Sequence, residues 1–266
     1  MSEMKVQTQV PLIHEGLVHK GGKILLVTPV WKDATRLAVF GAELAETLAN
    51  SDHDVDWLIA DDGSGSEQKA ELKALQAKLE VVFPRVSLHF AKEHRGKGSV
   101  VREAWDLDSE ADWLVFVDAD GSLSPDELIR MFDTAKEGGK TVMAIRKRTK
   151  TTEVNLSFSR AIAHRLFILA VRVLVGVKCE DPQCGAKMLL GSDYRPVAPS
   201  LKEDGLAFDA EMLTALAVHG VKWKELPVTW IEKDGGKVKP MRDAWGMLAA
   251  LWRIRNRQRS GEFGRV

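Results

Sequence analysis

The chain has 266 residues, 45% of them hydrophobic, which is enough to bury one large core or two small ones. Lys and Arg number 38, as do Asp and Glu, so the overall charge gives no indication of a nucleic-acid partner. No apolar run reaches the roughly 20 residues of a membrane-spanning helix, and residues 1–22 lack the apolar segment of a signal peptide. We therefore expect a cytoplasmic chain whose contact with a membrane, if any, is peripheral and at its inner face.

Strands and helices alternate through the first half of the sequence. After an irregular leader at 1–22, apolar runs predict five strands, at 23–28, 55–60, 86–90, 112–117 and 141–145. Helices are predicted between them, at 35–50, at 67–79, up to about 107, and from Ser124-Pro125 onward. Strands that are apolar from end to end are typical of a mostly parallel sheet with helices on both faces. We therefore predict an α/β, nucleotide-binding type of half over 23–145, with its ligand beyond the carboxyl ends of the strands.

The pattern changes after residue 145. The further predicted elements are a helix at 157–174, a strand at 186–190, a helix at 209–218, an extended stretch at 223–230 and a closing helix at 241–257. We expect 146–240 to complete the domain that begins at residue 23, and 241–266 to form a basic, amphipathic C-terminal helix and tail. Cys179 and Cys184 lack the spacing of a metal or dithiol site, so we expect two free thiols.

The pair Asp118-Ala119-Asp120 directly follows the predicted strand at 112–117. Two carboxylates at such a strand end are unfavourable unless they are paired or bind a metal. Alternate residues of an extended segment face the same side, so both carboxylates can reach one cation, and Mg²⁺ commonly bridges carboxylate and phosphate oxygens. The alternative is a solvated loop in which an Asp caps the following helix. The spacing alone leaves both interpretations open.

Two neighbouring strand ends also carry polar groups. Asp61 and Asp62 follow the strand at 55–60 and could accept hydrogen bonds from a base or a ribose, or form an Asx-type turn. The loop 94–98 combines basic side chains with two glycines, which would let its backbone approach a diphosphate, although it lacks the spacing of a P-loop. A turn with solvated charges is the alternative for this loop.

Basic residues cluster at three further places. The run 146–150 follows a strand end and is either a solvated face or a phosphate contact, and the loop 233–237 has lysines at both ends. The closing helix has an apolar face beside several arginines, which predicts either core packing or contact with an anionic membrane surface. That face consists of Trp245, Leu248, Leu251 and Trp252.

Taken in order, these motifs resemble those of family 2 glycosyltransferases with the GT-A fold, over roughly residues 23–257. Within that family the chain is most similar to dolichyl-phosphate glucosyl- and mannosyltransferases and their bacterial polyprenyl-phosphate relatives. The motifs that carry the resemblance are 28–33, 61–64, 96–98 with 101–102, 118–121, 159–160, 181–187, 208–211, 225–230 and 235–237. The resemblance implies a GT-A, Rossmann-like catalytic domain over 23–240.

The resemblance implies a nucleotide-sugar donor site. Pro29, Trp31 and Asp33 match the stretch that lines the nucleobase pocket, where the family usually has Tyr-Asn-Glu, so the base contact departs from the family pattern. Asp62, with Asp61 beside it, matches a residue that contacts the base or the ribose. The Asp118-Ala119-Asp120 motif matches the pair that holds Mg²⁺ or Mn²⁺ on the donor diphosphate.

Basic and acidic residues near the phosphates are implied as well. Lys97 lies in the glycine loop matched above, and Arg146, Arg160 and Lys237 match basic residues near the phosphates of donor or acceptor. Asp209 lies where many relatives place an acidic residue near the acceptor. We expect Asp120, Asp209 and Arg160 to take part in catalysis.

The implied reaction is an inverting transfer of a hexose from a nucleotide sugar, assisted by the metal as a Lewis acid. The segments 181–185 and 230–237 favour glucose, hence UDP-glucose, with GDP-mannose as the alternative. A polyprenyl or dolichyl phosphate acceptor is already anionic and needs no general base, whereas a hydroxyl acceptor would make Asp209 the base. A soluble transferase with a non-lipid acceptor, an inactive nucleotide-sugar-binding protein and a nucleotidyltransferase are the other readings, and the sequence does not indicate an oligomeric state.

Overall fold

The computed structural model describes residues 21–155, 158–233 and 240–264. The strands are β1 Ile24–Val30, β2 Val55–Asp61, β3 Val86–Phe90, β4 Trp113–Val117, β5 Val142–Ile145, β6 Val154–Asn155, β7 Ala186–Leu190, β8 Lys224–Pro227 and β9 Trp230–Ile231. The helices are α1 Ala34–Ala49, α2 Ser66–Leu79, α3 Lys97–Trp105, α4 Pro125–Gly138, α5 Phe158–Val175, α6 Gly191–Tyr194, α7 Phe208–Val218 and α8 Pro240–Arg259, with a 3₁₀ turn at Ala198–Ser200. The predicted elements are therefore all present, with ends that differ by a few residues.

A seven-stranded sheet forms the centre of the molecule, in the order β3-β2-β1-β4-β7-β5-β8. Strands β3, β2, β1 and β4 are parallel, as are β5 and β8. Strand β7 runs antiparallel to both β4 and β5. The prediction of a mostly parallel sheet is confirmed. The reversal of β7 was not predicted, and it brings the start of that strand to the edge where β4 ends.

Helices cover both faces of the sheet, as predicted. Alternate residues of β1 face opposite ways, so that Ile24 and Leu26 join one buried core with α1, α2 and α4. Leu25 and Val27 join a second core with α3, α5, α7 and α8. Two residues of α8, Leu251 and Ile254, are fully buried there. The closing helix is therefore part of the fold as well as a surface element.

The start of α4 confirms the predicted cap. The Ser124 hydroxyl accepts a hydrogen bond from the amide of Glu127 at 3.3 Å, and Pro125 occupies the first helical position. The helix ends at Gly139, whose φ of 56° is the left-handed conformation that glycine allows. These signals fix both ends of the helix that follows the Asp118-Ala119-Asp120 motif.

The structure also answers two smaller expectations. Cys179 and Cys184 are free and buried, as expected. Among the described helices, none has the length and apolarity to cross a bilayer.

Candidate active site

The carboxyl edge of the sheet collects the polar residues singled out in the sequence. Asp61, Asp118 and Arg146 lie at or just beyond the ends of β2, β4 and β5. Because β7 is reversed, the segment 181–185 reaches the same edge, and Ala186 pairs with Val117. The sheet thus places carboxylates and cations from distant parts of the sequence in one region.

Asp118 is the central carboxylate of this region. Its Oδ1 lies 2.7 Å from Nζ of Lys97, whose ammonium also lies 4.4 Å from the centre of the Phe116 ring. Burial raises the pKa of Asp118, and the Lys97 ammonium offsets part of that rise. Burial lowers the pKa of Lys97, but Asp118 and Asp209 more than offset it, so this pKa lies above its ordinary value. The pair is a half-buried carboxylate that holds a cation.

Gly185 makes room for the Asp118 side chain. Its carbonyl oxygen accepts a hydrogen bond from the amide of Asp118 at 2.8 Å. A Cβ atom at Gly185 would lie 2.1 Å from Oδ2 of Asp118 and 2.9 Å from the ring of Trp230. A side chain at this position would therefore displace the carboxylate, which gives this glycine a role in the site that spacing alone did not reveal.

Asp120 is held differently. Its Oδ1 accepts a hydrogen bond from the amide of Ser122 at 2.9 Å, and its Oδ2 lies 3.7 Å from Nη1 of Arg36. Asp33, predicted to line the base pocket, accepts a hydrogen bond from Nε of Arg36 at 2.9 Å. Asp33 therefore holds the guanidinium that faces Asp120. Arg36 was not predicted, although its position three residues after Asp33 is the usual spacing for such a pair.

Asp209 lies between two lysines, one of which, Lys97, also binds Asp118. Its Oδ1 is 2.8 Å from Nζ of Lys187 and its Oδ2 is 3.9 Å from Nζ of Lys97. Lys187 is fully buried and also donates to the carbonyl of Cys184 at 2.9 Å. The sequence placed Lys187 within the 181–187 motif but did not assign it a role. Lys97 is the cation that Asp118 and Asp209 share.

Asp62 organises the basic loop 94–99, called here the Lys97 loop. Its Oδ1 accepts from the amide of Arg95 at 3.0 Å, and its Oδ2 accepts from the amide of Gly96 at 2.8 Å and lies 2.8 Å from Nδ1 of His94. The His94 ring stacks on Trp31, with centroids 4.1 Å apart and planes 13° apart. Asp62 thus joins the loop to the predicted base pocket, and its contact with a base or ribose stays a prediction.

Asp61 lies beside Asp62 but faces inward. It is fully buried, and its Oδ2 accepts from the amide of Ser64 at 3.1 Å, which is the Asx-type turn considered for this segment. The backbone of Pro29 pairs with Ala60 at the end of β1, next to this turn. Asp61 therefore shapes the turn on which Asp62 is presented.

Arg146 is bound within the protein. Its Nε and Nη2 donate to the Asp181 carboxylate at 2.6 and 2.8 Å, and its guanidinium lies 5.4 Å from the centre of the Trp230 ring. Burial raises the pKa of Asp181, but Arg146 more than offsets it, so this pKa lies below its ordinary value. The predicted phosphate contact of Arg146 would have to share a guanidinium that Asp181 already binds. Asp181 as its partner was not predicted.

Two predicted residues cannot be located. Lys237 and the side chain of Arg160 lie outside the described residues. Their assignment to the phosphates stays a prediction.

Ala119, between the two aspartates, is buried and belongs to the same core as the buried residues of α4.

The donor set fits a metal that is shared with a phosphate ligand. Within the described residues, no three His, Cys, Asp or Glu side chains are grouped so as to hold a metal by themselves. Mg²⁺ in phosphate sites commonly takes one or two carboxylates and completes its shell with water and substrate oxygens. Asp118 and Asp120 supply such oxygens, and Lys97 shows that Asp118 accepts a cation.

Comparison with known proteins places this chain in a family. Residues 28–183 match the model of Glycosyl transferase family 2. The chain is 27% identical over 206 residues to the dolichyl-phosphate beta-glucosyltransferase of Dictyostelium discoideum, covering 75% of this chain and 62% of that one. It is 24% identical over 220 residues to the undecaprenyl-phosphate mannosyltransferase of Micrococcus luteus, covering 82% and 87%. The chain thus spans less than two thirds of the length of the glucosyltransferase.

Solved structures support the fold. One is glucosyl-3-phosphoglycerate synthase from Mycobacterium tuberculosis in complex with Mn²⁺, uridine-diphosphate-glucose and phosphoglyceric acid. It has a TM-score of 0.62 at 13% identity, covering 92% of this chain and 82% of that one. Another is mannosyl-3-phosphoglycerate synthase from Rubrobacter xylanophilus, with a TM-score of 0.63 at 16% identity, covering 91% and 76%. The GT-A fold is therefore confirmed, and with the match over 28–183 the chain belongs to glycosyl transferase family 2.

Proposed function

We propose that the chain transfers a hexose, glucose, from UDP-glucose to a polyprenyl or dolichyl phosphate, with inversion and with the help of Mg²⁺ or Mn²⁺. The observation that carries the proposal is the Asp118–Asp120 pair at the end of β4, with Lys97 against it. The names of the relatives support the acceptor class, since several are dolichyl-phosphate beta-glucosyltransferases. The bound ligands named for the M. tuberculosis enzyme support the donor and the metal.

The donor side of the site has to manage the negative charge of a departing nucleoside diphosphate. Asp118 and Asp120 would hold the metal, which when bound supplies Lewis-acid stabilisation of that charge. Lys97 adds a cation at the same place, half-buried and already positioned by Asp118 and Asp209. Trp31, stacked on His94, offers an aromatic surface to the base.

The acceptor side differs between the candidate acceptors. A lipid phosphate attacks as an anion, so no residue has to remove a proton. A hydroxyl acceptor needs a base, and Asp209 is the candidate because the family resemblance places an acidic residue near the acceptor at this position. For a phosphate acceptor, the ammonium of Lys97, whose side chain is 17% exposed, is the nearby positive charge, whereas Lys187 is fully buried against Asp209.

A membrane surface would supply a lipid acceptor, and the described helices offer a face for it. Ile162, Leu166, Leu169 and Val173 repeat at helical spacing on α5 and are exposed. Helix α8 packs against α5 and exposes Trp245, Leu248 and Trp252. Exposed arginines of α5, Arg165 and Arg172, flank this apolar face. We infer that the α5–α8 face lies on an anionic membrane on the cytoplasmic side.

Two observations favour alternatives for donor and acceptor. The M. tuberculosis structure, similar over 92% of this chain, holds phosphoglyceric acid, which is a soluble molecule. The M. luteus relative, a mannosyltransferase, is matched over 87% of its length. A soluble acceptor and a GDP-mannose donor are therefore the second candidates.

The proposal is tested by binding and turnover together. Thermal unfolding is followed with a panel of nucleotide sugars in the presence of Mn²⁺, and UDP-glucose is expected to raise the midpoint because it binds the folded chain. Transfer is then measured to polyprenyl phosphate and to phosphoglyceric acid. Asp120→Ala is expected to abolish transfer while the protein stays folded. Stabilisation by GDP-mannose alone, or transfer only to the soluble acceptor, would select the alternatives. Turnover that persists in Asp120→Ala would reject the metal site.

A further inference from the structure

The backbone just before α7 packs directly against the Lys97 loop. The carbonyl of Asp204 accepts a hydrogen bond from the amide of Ser99 at 3.1 Å. A Cβ at Gly96 would lie 2.5 Å from the carbonyl oxygen of Asp204. A Cβ at Gly98 would lie 2.5 Å from the carbonyl oxygen of Glu203. Backbone therefore meets backbone on this side of the loop, at a distance that only glycine permits.

The Asp204 carboxylate binds two arginines, one before and one after Lys97 in the sequence. Its Oδ2 accepts from Nη2 of Arg95 at 2.8 Å, and its Oδ1 accepts from Nη2 of Arg102 at 2.5 Å. Arg102 also donates from Nη1 to the carbonyl of Glu203 at 2.7 Å. Charge-assisted hydrogen bonds of this kind are stronger than neutral ones. One carboxylate thus fixes the chain before and after Lys97.

Helix α8 holds this segment from the other side. The Glu203 carboxylate accepts from Nε and Nη2 of Arg253 at 2.9 and 2.7 Å. Arg257 pairs with Glu211, which is fully buried and accepts from the amide of Glu203 at 2.8 Å. Direct contacts therefore run from α8 through the segment 202–204 to the Lys97 loop.

We propose that Asp204 is a positioning residue that acts through Lys97, and that Arg253 of α8 holds Asp204 in place through Glu203. The contact that it sets is the 2.7 Å approach of the Lys97 ammonium to Asp118, where the donor diphosphate would lie. This inference rests on the proposed function, because its consequence is the affinity for a nucleoside diphosphate. It assigns no direct contact between Asp204 and the ligand.

Calorimetric binding of UDP with Mn²⁺ tests the inference. Asp204→Asn is expected to weaken binding about tenfold, because a Lys97 loop that holds its binding position only about a tenth of the time lowers the apparent affinity by that fraction. If Asp204 acts through Lys97, its substitution adds nothing further in a Lys97→Ala background, whereas independent effects would add. Arg253→Ala is expected to weaken binding in the same direction, and Arg253→Lys to restore part of it. Lys202→Ala is the matched control. Lys202 lies on the same segment as Asp204, but its ammonium pairs with Glu262, at 2.7 Å.

Hydrogen exchange of the ligand-free protein separates this inference from the proposed function. Asp204→Asn is expected to speed exchange of the amides of residues 96–99, and Lys202→Ala is expected not to. Unchanged exchange, or additive effects of Asp204→Asn and Lys97→Ala on binding, would overturn the positioning role. A wild-type chain that binds no nucleotide would refute the proposed function and the effect on donor affinity, while the exchange rates still decide whether Asp204 holds the loop. If Asp204→Asn fails to fold, the same comparison is made with Arg253→Ala.

Discussion

Three aspartates of the site have different partners. Asp118 holds an ammonium, Asp62 holds two backbone amides, and Asp61 closes a turn. A carboxylate that accepts backbone amides fixes a loop, whereas one that faces an ammonium already binds a cation. The three aspartates therefore differ in what they can offer a ligand. Asp118 is the one of the three that faces the Lys97 cation.

The first prediction concerns Gly185, which leaves the space that Asp118 occupies. Gly185→Ala places a Cβ where Oδ2 of Asp118 lies, 2.1 Å away, so the carboxylate must move. A displacement of this size at a reacting centre lowers rates by about tenfold to a hundredfold. We expect such a loss of transfer, with weaker Mn²⁺-dependent UDP binding, measured by steady-state kinetics and calorimetry.

Gly138→Ala is the control for that substitution. A Cβ at Gly138 meets no atom within 4 Å, and Gly138 lies at the end of α4. Alanine favours helices over glycine by up to about 1 kcal/mol, so this variant should keep full activity. Equal activity of the Gly185 and Gly138 variants would show that the Asp118 carboxylate does not need its present position.

At the scale of the elements, the sequence could predict only those features whose pattern lies within one short segment of the chain. Hydrophobic periodicity and caps predicted the strands of the seven-stranded sheet and the longer helices that cover it, since these patterns lie within one segment. The direction of β7 depends on its pairing with β4 and β5, and no local pattern records that. The partner of Arg146 is 35 residues away and the loop held by Asp62 is 33 residues away. Such contacts exist only once the sheet has formed.

Helix α8 divides the apolar residues predicted for it between the core and the protein surface. The sequence left open whether its apolar face packs in the core or lies on a membrane. Leu251 and Ile254 are fully buried, whereas Trp245 and Trp252 are largely exposed. One of its arginines is bound within the protein, since the Arg253 guanidinium pairs with the Glu203 carboxylate. The basic character of the tail is therefore partly used inside the fold, and less of it remains for a membrane.

The second prediction tests the α5–α8 face on vesicles that contain phosphatidylglycerol. The Leu166 side chain is 62% exposed on this face, and Leu166→Ser should weaken binding to vesicles, measured by sedimentation, about tenfold, because burial of a leucine contributes about 1.5 kcal/mol. Leu107→Ser is the matched control, since Leu107 is also 62% exposed but follows α3, away from this face. Equal sedimentation of both variants would place the membrane contact elsewhere.

At the scale of the whole molecule, the two cores lie on opposite faces of one sheet and α8 belongs to the second of them. The site at the sheet edge receives residues from both layers, with Arg36 from α1 on one side and Asp209 from α7 on the other. Because the site needs residues of both layers, global unfolding of the chain abolishes it. The pH dependence of stability, by contrast, is set by ionisable groups in each layer, including groups far from the site.

The third prediction concerns His53, which packs edge-on against Phe132 with ring centroids 5.4 Å apart. Burial lowers the pKa of His53, and the Lys136 ammonium adds to this, while Asp133 at 3.1 Å offsets only part. Protons therefore bind this histidine more readily in the unfolded chain. Stability should be full above the ordinary histidine pKa and fall below it, by at most about 1.4 kcal/mol per pH unit for this one group.

Thermal unfolding at pH 7.5 and 5.5 checks this dependence, and His53→Gln supplies the comparison. The glutamine cannot take up the proton, so the variant should lose less of its unfolding midpoint between the two pH values than the wild type does. Burial lowers the pKa of His164 as well, so part of the fall remains in the variant. An identical fall in both proteins would mean that His53 is as easily protonated in the folded chain as in the unfolded one, and that the acid sensitivity arises at other groups.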